Sequence, residues 1–132
     1  IIENLKELLK SKIPTFGICL GHQLLALARG AERMKLKYGH HGANQPVRDT
    51  ETGRLYITSQ NHEYAIIPES LPEGAHMSFV NVNDLTCEGI GYGDMPAFSV
   101  QFHPEASAGP TDTEFLFDVF LTMVGGNRNA AK

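Results

Sequence analysis

Tryptophan is missing altogether and cysteine occurs only twice in the 132 residues. Cys19 and Cys87 are too few and too far apart for the disulfide framework of a small secreted domain, so both are expected as free thiols, and a cytoplasmic location with them. No apolar run approaches the roughly 20 residues of a membrane helix, and the opening Ile1-Ile2-Glu3-Asn4 has none of the marks of a signal peptide; no membrane partner is expected. Basic charge is also short. With 11 Lys+Arg against 15 Asp+Glu and a formal net charge of −4, the chain offers no field for a phosphate backbone. No nucleic-acid partner is expected. Repeats and low-complexity stretches are lacking, and the length fits one domain whose core needs neither metal nor cystine to hold it.

The apolar residues Ile1, Ile2, Leu5, Leu8 and Leu9 recur at helical spacing from the first position, with no capping residue in front. The chain is therefore read as the C-terminal part of a longer domain, over 1–124, followed by a tail at 125–132 that contains Gly125-Gly126. Pro14 interrupts the first helix, Thr15–Ile18 reads as a strand, and Leu20–Arg29 as a helix ending at Gly30. Arg33–Tyr38 alternates, with Met34, Leu36 and Tyr38 inward, before a turn-rich Gly39–Gly53. Strands are expected at Arg54–Ser59, Tyr64–Ile67, His76–Val82, Cys87–Tyr92 and Ala97–Phe102. They follow one another too closely for crossover helices, so hairpins are expected. Thr111-Asp112-Thr113-Glu114 is a capping box for a last helix burying Phe115, Leu116, Val119, Phe120 and Met123 or Val124. The pattern is α/β.

Gly17-Ile18-Cys19-Leu20-Gly21, between a strand and a helix, has the G-x-nucleophile-x-G form of a nucleophile elbow with Cys as the nucleophile. A sharp turn would expose Cys19, the flanking glycines would let strand and helix approach, and the helix N-terminus would favour a thiolate. The plain alternative is a packing cysteine. His103-Pro104-Glu105 follows a strand, and residues at i and i+2 project to the same side, so Glu105 can orient the ring of His103. A solvated turn is the alternative there. Gly89-Ile90-Gly91-Tyr92-Gly93 resembles a phosphate loop, but no helix follows, and a tight hairpin is the better reading. His22, His40, His41, His62, His76 and His103 lack metal-ligand spacing, so structural or surface roles, and no metal, are expected.

Phe16–Gln23 and Phe102–Glu105 resemble the two signature segments of the class I (triad) glutamine amidotransferases. Tyr38–Val47, Thr58–Ala65 and Glu105–Asp112 are similar, within that family, to the small subunits of glutamine-dependent carbamoyl-phosphate synthetases. The resemblance implies a flavodoxin-like mixed sheet with flanking helices, here without its N-terminal strands. It implies that Cys19 attacks the carboxamide of L-glutamine, with His103 as general acid/base and Glu105 as its partner. It also implies a backbone oxyanion donor at Leu20 and substrate contacts from Gln23, Asn61, Glu63 and Tyr64. Glu63 stands where the family has Gly, and its side chain would either weaken substrate binding or point to solvent. The family's second oxyanion donor lies upstream of Ile1. Ammonia would pass to a large subunit, which would hold ATP and Mg; no cofactor is expected in this chain. Two other readings stay open: a non-catalytic fragment, and an amidotransferase feeding a different acceptor.

Overall fold

The computed structural model describes residues 2–103 and 115–130. Helix α1 (Ile2–Lys10) is followed by strand β1 (Thr15–Ile18) and helix α2 (Leu20–Ala28). Strands β2 (Arg33–Asp49), β3 (Leu55–Ile66), β4 (Ala75–Asn81), β5 (Cys87–Tyr92) and β6 (Ala97–Val100) come next, and helix α3 (Phe115–Ala130) is last. One six-stranded sheet has the order β1-β6-β5-β4-β2-β3. β1 and β6 are parallel, with Ile18 opposite Val100, and the other pairs are antiparallel. Short links suit antiparallel neighbours, whereas the parallel pair brings together strands far apart in the chain.

The sheet is covered on both faces. Alternation along β6 shows how: Ala97 joins Leu9, Leu25, Ala26, Ile66 and Ile90 in the core under α1 and α2. Phe98 and Val100 join Phe79, Phe102 and Leu116 in the core under α3. Thus Ala97, Ser99 and Gln101 have the parity that faces α2. Phe16 stacks on Phe98 at 4.4 Å between ring centres, holding the two parallel strands side by side.

Several expectations are corrected. The stretch from Gly39 is strand rather than turn up to Asp49, and the chain reverses only after it. Gly39 (φ 70°) and Gly42 (φ 96°) sit beside register shifts in the β2–β3 pairing, so they form bulges that bend the ladder without ending it. Gln60–Glu63 is likewise continuous strand. Met34 is 39% exposed, Leu8 49% and Val119 43%. Met34 pairs with Ala65 on the outer β2–β3 ladder and is in neither core, and among the described side chains of α1 it is Leu5 and Leu9 that pack against the core. Helix α3 continues to Ala130, through the two glycines where a tail was expected. The capping box at 111–114 lies outside the described residues. Gly89 and Gly91 are inside β5, and a Cβ at Gly91 would lie 2.5 Å from the His76 ring, so these glycines admit a close neighbour within a strand.

Candidate active site

Cys19 lies at the sharp junction of β1 and α2. Its backbone is at φ 53°, ψ −108°, a conformation that costs a non-glycine residue about 1–3 kcal/mol and that persists only where the surroundings impose it. One constraint is the bond from Cys19 N–H to the Val100 carbonyl at 2.9 Å. Gly17 supplies another: a Cβ there would lie 2.9 Å from the Gly21 carbonyl oxygen. The glycines are unequal, because a Cβ at Gly21 would meet nothing within 4 Å. Leu20, the first residue of α2, is 62% exposed, at a helix end whose leading N–H groups have no intrahelical acceptors.

Residues three and four positions after Cys19 share its helix face. His22 is buried, with Nδ1 2.7 Å from Ser99 Oγ, and Gln23 Nε2 donates to Gln101 Oε1 and to the Tyr64 carbonyl, each at 3.0 Å. Gln101 Nε2 donates in turn to Cys19 Sγ at 3.8 Å. The His103 N–H donates to the Ser59 carbonyl at 3.0 Å, forming an isolated bridge between β3 and the segment after β6. Cys19 and His103 therefore both follow the C-terminal ends of adjacent parallel strands. Glu105 lies outside the described residues.

β3 is fastened to this region at two points, through Ser59 to His103 and through the Tyr64 carbonyl to Gln23. Its alternation buries Tyr56, Thr58, Gln60 and His62 and exposes Asn61 and Glu63 on the opposite face. Glu63 thus projects outward, and Asn61 Oδ1 accepts from His41 Nδ1 at 2.7 Å. Gln101 and Ser59 escaped the sequence reading. Gln101 was reachable by counting in twos from Ala97 towards His103; Ser59 was not, because its link to His103 joins distant strands.

The histidines separate into two kinds. His41 and His76 are exposed, whereas His22, His40 and His62 are buried. Burial, with help from His62, pushes the His22 pKa down to about 3, and burial pushes that of His62 down to about 4. His40, His62 and Glu88 come from three strands into one buried group whose ligating atoms lie within 4.8 Å of one another. Spacing along the chain could not foretell it. Burial pushes Glu88 up to about 7 against the bonds from Asn81 and Gln60 that favour its charge. Cys87 is fully buried, and its thiol is pushed up to about 12, chiefly by burial, which makes it a poor nucleophile.

The family pattern for glutamine amidotransferase class-I matches residues 1–123. The chain belongs to that family. It is 55% identical over 123 residues to the carbamoyl phosphate synthase small chain of Methanocaldococcus jannaschii, covering 93% of this chain and 34% of the relative. It is also 55% identical to the small chain of Oceanobacillus iheyensis, covering 96% and 35%. It thus spans about a third of the length of these relatives. A glutamine amidotransferase from Thermotoga maritima superposes with a TM-score of 0.67 at 25% identity, over 96% of this chain and 55% of that one. A Thermoplasma acidophilum protein described as part of a GMP synthase has the same fold, with a TM-score of 0.82 at 22% identity over 98% and 67%. No helix among the described residues is long and apolar enough to cross a membrane.

Proposed function

We propose that this chain is the glutamine-hydrolysing domain of a carbamoyl-phosphate synthetase small subunit. The observation that carries the proposal is the Cys19 elbow, bonded to Val100 at the end of the strand that leads to His103. The Cys19 thiolate, favoured by the positive end of α2, adds to the γ-carboxamide carbon of L-glutamine. The Leu20 N–H donates to the oxyanion. His103 gives its proton to the leaving nitrogen, ammonia departs, and a γ-glutamyl thioester remains. His103 then takes a proton from water, whose hydroxide attacks the thioester; glutamate leaves, and the Cys19 thiolate beside a proton-bearing His103 is restored. Glu105 orients the His103 ring.

Both amide hydrogens of Gln23 are spent on Tyr64 and Gln101, so only its oxygen remains to accept from the substrate ammonium. Asn61 and Tyr64 offer backbone groups beside it, and the outward position of Glu63 keeps its charge off the substrate. Ammonia passes to a large subunit, where ATP and Mg are used.

The test is labelling with 6-diazo-5-oxo-norleucine followed by mass spectrometry. Modification of Cys19 alone, suppressed by glutamine, is the expected result. Labelling of Cys87, or a folded protein that takes up no label, would overturn the assignment.

A further inference from the structure

We infer that His40, His62 and Glu88 form a zinc(II) site, with two imidazole nitrogens and a carboxylate oxygen around a four-coordinate ion. The inference stands apart from the glutaminase reading, and either can fail alone. It begins from hydrogen-bond accounting. His62 Nδ1 lies 2.7 Å from the Tyr64 carbonyl oxygen and must donate to it, which leaves a lone pair on Nε2 of the neutral ring. His40 Nε2 lies 2.7 Å from Asp84 Oδ2 and donates there, which leaves a lone pair on its Nδ1.

Those two lone-pair nitrogens lie 3.2 Å apart. Gln60 Oε1, another acceptor, is 2.7 Å from His62 Nε2, and Glu88 Oε2 is 3.5 Å from His40 Nδ1. His62 Nε2, His40 Nδ1 and Gln60 Oε1 face one another as acceptors with no donor between them, and the buried Glu88 carboxyl lies beside them, so the group calls for a cation. Two of the separations suit zinc, since bonds of about 2.0–2.1 Å in a tetrahedron place ligand atoms about 3.3 Å apart: the imidazole nitrogens are 3.2 Å apart and His40 is 3.5 Å from Glu88, while all three ligand atoms lie within 4.8 Å of one another.

The surroundings match what metal-binding histidines require. One ring donates its remote N–H to a backbone carbonyl and the other to a carboxylate, which fixes tautomer and orientation. Glu88 is completely buried and is held by Asn81 and Gln60 through Oε2, while its Oε1 has no hydrogen-bond partner. A cleft of about 440 Å³ lined by Lys37, Gly39, His40, Asn81 and Asp84 reaches one member of the group, His40, from outside. The ion would tie together β2, β3 and β5, the second of which carries the Ser59 and Tyr64 attachments to the active site.

The experiment uses the full chain as Cys19→Ser, so that the elbow thiol cannot bind metal. After treatment with a chelator, the protein is titrated calorimetrically with zinc, and cobalt(II) is added in parallel. The expected result is one zinc per chain and the visible absorption of four-coordinate cobalt without sulfur ligation. Asp84→Asn should weaken zinc binding about ten- to a hundredfold, the usual effect of removing an outer partner. Glu88→Gln should weaken it more. If Glu88→Gln does not fold by circular dichroism, Asp84→Asn carries the test, since its side chain is 43% exposed. A folded, stripped protein that takes up no zinc, or one whose affinity Asp84→Asn leaves unchanged, would overturn the inference; protons would then fill the place of the metal.

Discussion

Cys19 holds the least comfortable backbone of the proposed machinery, and its chemistry contrasts with that of the other cysteine. Cys19→Ser should reduce glutamine hydrolysis by three or more orders of magnitude, as loss of a covalent nucleophile does. Cys87→Ser should leave kcat intact and cost about 1–2 kcal/mol of stability, because a hydroxyl replaces a thiol in a dry core. Steady-state kinetics and thermal melts on both variants check this. The two elbow glycines give a second contrast. Gly17→Ala drives a methyl against the Gly21 carbonyl and should cost about 1–3 kcal/mol. Gly21→Ala has room and exchanges a poor helix former for the best, so its urea midpoint should equal or exceed that of the parent.

Between elements, the junction of α2, β3 and β6 depends on Gln23. Its side chain alone joins the Tyr64 carbonyl to Gln101, whose other end reaches Cys19. Gln23→Ala takes from Gln101 Oε1 the donor it has and from the Tyr64 carbonyl one of two, His62 Nδ1 remaining, so a loss of about 1–3 kcal/mol is expected. The same change frees β3 beside the nucleophile, and a rise in KM for glutamine greater than the fall in kcat is the expected kinetic signature. Denaturant melts and initial-rate curves measure the two effects separately. Equal KM values in parent and variant would mean that β3 keeps its place without Gln23.

The whole molecule buries an uncharged histidine between helix and sheet, and this couples its stability to pH. His22 is held neutral down to about 3 when folded, against 6.5 in the unfolded chain. Between those values the unfolded chain binds a proton that the folded one does not, so the contribution of this group is complete above pH 6.5 and falls as pH drops. At pH 5 the loss is about 2 kcal/mol from 1.5 units of difference. Urea midpoints measured from pH 7 to 5 should therefore decline in the parent, and less steeply in His22→Gln. Equal slopes would remove His22 from the account.

The strand-to-helix turn at Cys19, the place of His103 just after the last strand, the helix after β1, the extent of β5 and the antiparallel middle of the sheet were all legible in the chain, because each is set by neighbours within a few positions. Hydrophobic period, glycine placement and proline breaks act over that range. Proximity that crosses the sheet was not legible. The bulged pairing of β2 with β3, the Ser59–His103 bridge, the bond from Gln101 to Cys19, and the meeting of His40, His62 and Glu88 all join residues from different strands. No local pattern encodes such a meeting, since register and strand order are settled only when two cores close on opposite faces of one sheet.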